Sequence, residues 1–173
     1  GRAPFAAPYQ WGKDGMSIPN PAHPDEIVGH VVLATPAIAE AAVKCAVEAA
    51  PGWAAVPVVE RAQIINRVAD LYERDAYEIF ALAAREAGKI VADCVAEVRE
   101  AVDFLRFYAV EAAKAARDSQ ARGFIVCIST WNFPLAIFTG QLAAALVTGN
   151  AVVAKPAEQT PLIAQKAVAL MIA

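Results

Sequence analysis

Apolar residues recur at helical spacing through the first two thirds of the chain. After Thr35, a candidate N-cap followed by Pro36 at the first helical position, alanines and valines recur until Pro51-Gly52, where we expect the helix to end. A second helix is predicted from Pro57 to Gly88, because glycine suits the left-handed turn that follows a helix.

A third helix is predicted from about residue 90 to Arg117. Its charged residues, among them Glu97 and Arg106, fall mostly off the apolar side and are expected to form a solvated face. Its apolar residues are spaced by four, three, four and three and form one stripe, made of Val91, Val95, Val98, Val102 and Leu105.

The pattern changes at Gly123. The continuous apolar run from Phe124 to Ile128 is typical of a parallel strand that is buried on both faces. Pro134 then opens a helix to about Thr148, Ala151–Ala154 forms a second strand, and Thr160-Pro161 is expected to cap another helix. The fold class is therefore α/β, with N-terminal helices followed by a βαβα unit of a parallel sheet.

Three regions follow from these patterns. Residues 1–34 begin with five prolines in the first 24 positions and are predicted to be an extended segment that lies over the rest. Residues 35–117 form a helical part, and residues 118–173 start the parallel core. Only a short link, Asp118–Arg122, joins the helical part to the first core strand.

Composition excludes several classes of function. The 58% apolar and 19% charged residues are enough for a packed core, and a net charge of −3 without basic clusters argues against nucleic-acid binding. The uncharged stretch between Arg122 and Lys155 is interrupted by Pro134 and by Gly140, so it is a poor membrane span. Three cysteines without a CxxC pair, and no signal-peptide pattern, favour a cytoplasmic setting.

Two polar segments follow the predicted strands. These are Ser129–Pro134 (STWNFP) and Lys155–Glu158 (KPAE). Ligands of open parallel sheets bind beyond the carboxyl ends of the strands, so both segments are expected at one ligand-binding edge.

The order WNFP, GN, KPAE and TP resembles the coenzyme-binding core of the NAD(P)-dependent aldehyde dehydrogenase superfamily. The sequence of residues 123–166 is most similar to the Δ1-pyrroline-5-carboxylate dehydrogenase module of bacterial bifunctional proline-utilisation (PutA) proteins. Weaker similarity extends back to about Ile18. The resemblance implies a truncated Rossmann-variant fold and a parent that oxidises L-glutamate γ-semialdehyde to glutamate with NAD in proline catabolism. It also implies a homo-oligomeric parent.

Asn132 has two interpretations. Its spacing alone favours a role in capping the helix that Pro134 opens or in satisfying the backbone groups of the turn. The resemblance instead implies that its side-chain amide stabilises the negative charge that develops on the aldehyde oxygen in the thiohemiacetal.

The resemblance also implies a cofactor-binding set, in which Lys155 and Glu158 hold the adenine ribose. Glu158 would repel a 2′-phosphate, which favours NAD over NADP. On spacing alone, Lys155 and Glu158 could be a solvated loop, and Trp131 could be core. The family commonly has proline at the position of Thr130, which leaves that backbone less rigid. The expected set is Ile128, Ser129, Thr130, Trp131, Lys155, Ala157 and Glu158; no metal site is expected.

The nucleophilic cysteine and the general-base glutamate that the resemblance implies would lie beyond Ala173. Cys45, Cys94 and Cys127 fall inside predicted helices or a strand and are not expected to replace the nucleophile. We therefore expect the chain to be a fragment that is inactive alone. The alternatives are a non-catalytic interaction module or inactive paralogue that associates through the stripe of the third helix, and an aldehyde dehydrogenase with another substrate.

Overall fold

The computed structural model describes residues 15–115 and 120–173. The predicted helix end at Arg117, part of the link to Gly123 and the first 14 residues lie outside these ranges. In chain order the elements are β1 (Met16–Asn20), β2 (His23–Val31), α1 (Pro36–Ala54), α2 (Val58–Arg74), α3 (Ala76–Ala87), α4 (Val91–Ala115), β3 (Phe124–Ile128), α5 (Ala136–Val147), β4 (Ala151–Lys155) and α6 (Pro161–Met171).

The N-terminal segment contains a hairpin that the sequence did not predict. Strands β1 and β2 pair antiparallel, with Met16 opposite Val31. Ile18 and Val31 are buried against Leu162 of α6. The hairpin therefore packs on the last helix of the chain, and the proposed division at residue 34 stays a prediction.

Helix α1 starts as predicted but ends later. The Thr35 hydroxyl accepts a hydrogen bond from the Ile38 amide at 3.3 Å, and Pro36 is the first helical residue. The predicted end at Pro51-Gly52 is wrong, since the helix continues to Ala54. Pro51 lacks a helical hydrogen bond near the end of α1, and the Trp53 indole donates to the Leu146 carbonyl at 2.8 Å, which holds the last turn in place.

The predicted second helix is two helices that meet at Asp75. The Asp75 carboxylate accepts hydrogen bonds from Arg74 at 2.6 Å and from Lys166 of α6 at 2.9 Å, which fixes the break. Helix α3 ends as predicted at Gly88, whose φ of 66° lies in the left-handed region.

Helix α4 lies in the centre of the main core. Val98, Val102 and Leu105 of the predicted stripe are buried, whereas Val91 and Val95 are exposed. The prediction of a solvated charged face is wrong for Glu97, which is only 2% exposed. Much of this stripe is therefore covered within the chain itself, against α2 and α5.

Strands β3 and β4 pair in parallel, with α5 between them in sequence, which confirms the α/β fold class. The prediction that β3 is buried on both faces is wrong, because Val126 is 50% and Ile128 is 65% exposed. Helix α1 covers that face only near Phe124, through Ala46 and Ala50. The opposite face, with Ile125 and Cys127, packs on the main core.

Among residues 15–115 and 120–173, no single helix is long and apolar enough to cross a membrane. Helices α1 and α2 meet that test only as a pair, and the pair is bent by 117°.

Candidate functional site

The two polar segments lie side by side at the carboxyl edge of the small parallel sheet. Ile128 is the register partner of Lys155. The Ser129 amide donates to the Lys155 carbonyl at 3.0 Å, which extends the pairing past the strand end. The chain therefore leaves both strands at the same edge, as the sequence predicts.

Asn132 lies on the exposed loop that follows β3. Its side-chain oxygen accepts a hydrogen bond from the Thr130 hydroxyl, and its main-chain carbonyl accepts one from Lys89 Nζ at 2.8 Å. Within the described part of the chain, no acceptor engages its side-chain NH2. The arrangement leaves an amide donor available to a ligand.

The alternative in which Asn132 caps the following helix is wrong. The amides of Leu135 and Ala136, at the start of α5, donate to Glu97 Oε2 at 3.1 and 2.8 Å. Glu97 comes from α4, so a buried carboxylate from another helix caps α5 and Asn132 is not used for capping.

The sequence did not single out Lys89, and it placed Glu97 on a solvated helix face rather than at this site. Lys89 Nζ lies 3.0 Å from Glu97 Oε1 and 4.9 Å from the centroid of the Phe133 ring. The side chains are 13% and 1% exposed. A signal for Glu97 was available, because it lies three residues after Cys94 and four before Ala101, both of which are buried on the same side of α4.

Lys155 and Glu158 form an exposed ion pair at the end of β4. Their charged atoms are 3.0 Å apart, and Lys155 Nζ also donates to the Pro156 carbonyl at 2.9 Å. Hydrogen bonding from its own backbone amide and from Lys155 lowers the pKa of Glu158. At 51% and 67% exposure, the side chains can exchange these contacts for ligand hydroxyls.

The remaining predicted residues surround this edge with different exposure. Trp131 is 55% exposed, so the alternative that it belongs to the core is wrong. Ser129 Oγ is buried and has no hydrogen-bond partner within the described ranges, while Ala157 is buried. Gln141 of α5, which the sequence did not indicate, donates to the Ile128 carbonyl at 3.1 Å and holds the end of β3.

A second buried glutamate caps α6. Glu86 accepts hydrogen bonds from the amides of Leu162 at 2.6 Å and Ile163 at 2.9 Å. The helix starts as predicted, with Thr160 at the N-cap position and Pro161 as the first helical residue, but the Thr160 hydroxyl makes no capping bond. Burial raises the pKa of Glu86 to about 7, and the two amides act in the opposite direction.

The cysteines lie away from this chemistry. Cys94 and Cys127 are buried, and burial raises the pKa of each thiol, whereas Cys45 is exposed on α1. A buried thiol with a raised pKa is a poor nucleophile. No group of three or more metal-ligating side chains occurs among the residues that the structure describes.

Together, the strand-end site and the sequence define a class of protein: the chain belongs to the aldehyde dehydrogenase family, which matches residues 10–173. It is 52% identical over 155 residues to bifunctional protein PutA of Escherichia coli K12, a match that covers 88% of this chain and 12% of that protein. It is 38% identical to 1-pyrroline-5-carboxylate dehydrogenase of Geobacillus sp. WCH70, covering 85% of this chain and 31% of the relative.

Solved structures agree with this assignment. PutA from Bdellovibrio bacteriovorus, inactivated by N-propargylglycine, superposes with a TM-score of 0.87 at 33% identity, over 94% of this chain and 18% of that one. The NAD-bound 1-pyrroline-5-carboxylate dehydrogenase from Thermus gives a TM-score of 0.86 at 33% identity, over 93% of this chain and 34% of that one. The chain therefore spans between about an eighth and a third of the length of these four relatives.

Proposed function

We propose that this chain supplies the first part of the coenzyme-binding region of an NAD-dependent aldehyde dehydrogenase. The observation that carries the proposal is the meeting of the Asn132 loop and the Lys155-Glu158 pair at one strand edge. The substrate we propose is L-glutamate γ-semialdehyde, which is in equilibrium with Δ1-pyrroline-5-carboxylate and is oxidised to L-glutamate. The names of the relatives support this substrate.

The residues present fit an adenosine ribose at the end of β4. An ammonium and a carboxylate, both exposed, offer a donor and an acceptor to vicinal hydroxyls, and Ile128 presents an exposed apolar surface beside them. NAD, when bound, supplies the hydride acceptor. The negative charge of Glu158 disfavours a 2′-phosphate, so NAD is the proposed cofactor rather than NADP.

Asn132 is proposed to act on the aldehyde rather than on the cofactor. Its NH2 group would donate to the oxygen that becomes negatively charged when a nucleophile adds to the carbonyl carbon. The Thr130 hydroxyl already occupies the amide oxygen, so the NH2 group is the part of the side chain left for the substrate.

The two other functions receive less support. The interaction module was favoured by an apolar stripe on α4 that needed a cover, and Val98, Val102 and Leu105 of that stripe are buried within the chain. A different aldehyde substrate has no specific observation in its favour. Homo-oligomeric assembly, a cytoplasmic location and inactivity of the 173 residues alone stay predictions.

The test is NADH formation from Δ1-pyrroline-5-carboxylate by the whole protein that contains these residues, with the 173-residue chain assayed beside it. We expect activity in the whole protein and none in the chain alone. Glu158→Gln should raise the use of NADP relative to NAD, because it removes a negative charge beside the ribose. Glu48→Gln, which alters an exposed Lys–Glu pair on α1, is the matched control. Absence of semialdehyde oxidation by the whole protein would contradict the proposal.

A further inference from the structure

Beyond the role of Asn132 itself, we propose that Lys89, held by Glu97, is a positioning residue that fixes the Asn132 loop for oxyanion stabilisation. The inference deepens the proposed function and rests on it. Lys89 follows the left-handed Gly88 in the turn between α3 and α4, whereas Asn132 lies between β3 and α5. Lys89 and Asn132 are 43 residues apart in sequence, and a hydrogen bond joins their two loops.

The Lys89 ammonium is enclosed by three groups. It donates to the Asn132 carbonyl at 2.8 Å, pairs with Glu97 Oε1 at 3.0 Å and lies 4.9 Å from the centre of the Phe133 ring. With its side chain only 13% exposed, it is largely shielded from water, which strengthens each of these interactions. The ammonium therefore contacts two consecutive residues of the loop, through the main-chain carbonyl of Asn132 and the ring of Phe133.

Glu97 divides its two oxygens between different tasks. Oε1 pairs with Lys89, and Oε2 accepts the amides of Leu135 and Ala136 at the start of α5. The carboxylate thus ties the ammonium to the rigid end of a buried helix. Lys89 contacts Oε1 and not Oε2, so replacing the ammonium removes no Oε2 contact with α5, although it leaves Oε1 buried without its ion pair. A change at Lys89 can therefore disturb the loop without removing the helix cap.

Catalysis is sensitive to such a disturbance because the donor must meet a charge that exists only near the transition state. The Asn132 NH2 group is carried on a loop that is itself exposed, and its side-chain oxygen is bonded to Thr130 of the same loop. Lys89 is the contact that joins the Asn132 peptide to the helical part of the chain. We infer that losing it affects turnover more than cofactor binding.

The experiment is a double-mutant cycle in the whole protein with Δ1-pyrroline-5-carboxylate and NAD. Asn132→Ala is expected to lower kcat by about 100- to 1,000-fold, and Lys89→Met by about 10- to 100-fold. The KM for NAD should stay within about twofold, because the Lys155 region is untouched. The kcat of the double variant should be less than about threefold below that of Asn132→Ala alone, since the two changes affect one interaction. Lys89→Arg should recover much of the activity, and Lys44→Met on α1 is the control.

Two kinetic outcomes would overturn the inference. One is a loss in the double variant equal to the product of the single losses, which would show independent roles. The other is a raised KM for NAD with unchanged kcat, which would assign Lys89 to cofactor binding.

A second readout separates this inference from the proposed function. In crystal structures of the whole protein, the backbone B-factors of residues 131–134 relative to those of α5 should rise in Lys89→Met, while the amides of Leu135 and Ala136, held by Glu97, keep their hydrogen-exchange protection. If the whole protein oxidises no aldehyde, the proposed function fails, and the relative B-factors still decide whether Lys89 fixes the loop. Unchanged relative B-factors at residues 131–134 would reject the positioning role whatever the activity.

Discussion

Thr130 and Asn132 illustrate how one hydroxyl can orient a side-chain amide. The Thr130 hydroxyl donates to the Asn132 side-chain oxygen, whereas the NH2 group has no acceptor among the residues that the structure describes. The resemblance leads one to expect proline at position 130, which would fix the backbone but could not donate this bond. With threonine, the backbone at position 130 is less rigid than with proline, but the hydroxyl holds the Asn132 side chain directly.

At this scale we predict that Thr130→Val lowers kcat of the whole enzyme by about fivefold, the equivalent of one neutral hydrogen bond. Thr130→Ser keeps the hydroxyl and should stay close to the wild type. Steady-state kinetics with saturating NAD measure the difference. A loss in the Ser variant with full activity in the Val variant would mean that the methyl group, rather than the hydroxyl, matters.

Helices α5 and α6 are capped in the same way, because the first amides of each donate to a buried glutamate from the helical part. Glu97 and Glu86 take the place of side chains at the N-caps, where Leu135 and Thr160 make no capping bond. The positive end of each helix lies against a carboxylate, which favours docking of the parallel core on α3 and α4. The interface is thereby specified by charge as well as by apolar contact.

Glu86 should make stability depend on pH. Its pKa is raised from 4.5 in a model peptide to about 7 in the folded chain, so between these values the folded state binds more protons than the unfolded state. The free energy of unfolding contributed by Glu86 is therefore highest below pH 4.5 and falls as pH rises toward 7, by up to about 3 kcal/mol. Urea unfolding of the wild type and of Glu86→Gln at several pH values should give a difference with this slope. A difference that is independent of pH would refute it.

Local signals explain which elements the sequence predicts. The start of α1 was predicted because Thr35 and Pro36 act within their own turn, and the end of α3 because Gly88 is a local stop. The end of α1 was missed because it depends on the Trp53 contact with Leu146, 93 residues away. The break at Asp75 likewise depends on Lys166, 91 residues away.

In the candidate site, too, local features were predicted from the sequence and contacts between distant residues were not. The strand ends and their polar residues are contiguous in sequence and were predicted. The Lys89 contact with Asn132 spans 43 residues, and the Glu97 contact with Ala136 spans 39, so spacing along one helix could not show them.

At the scale of the whole molecule, α5 links the helical part of the chain to the parallel core. It carries no charged residue and is almost entirely buried, and it is held at its start by Glu97 of α4. At its other end Arg61 of α2 donates to the Val147 carbonyl at 2.9 Å and to the Ala54 carbonyl at 3.3 Å, and also to Val56. One guanidinium thus joins the ends of α1 and α5, and its sign suits the negative helix ends.

Arg61→Met should therefore destabilise the chain far more than the loss of a surface charge would. Three carbonyls lose a charged donor, and we expect the free energy of unfolding to fall by about 3 kcal/mol or more. Arg67→Met, on the exposed side of the same helix, should change it by less than about 0.5 kcal/mol. Chemical unfolding of both variants measures the difference. Because α5 connects β3 to β4, amide hydrogen exchange should also become faster in both strands of the Arg61→Met variant. If only the amides of α1 lose protection, α5 is held chiefly by its apolar surface.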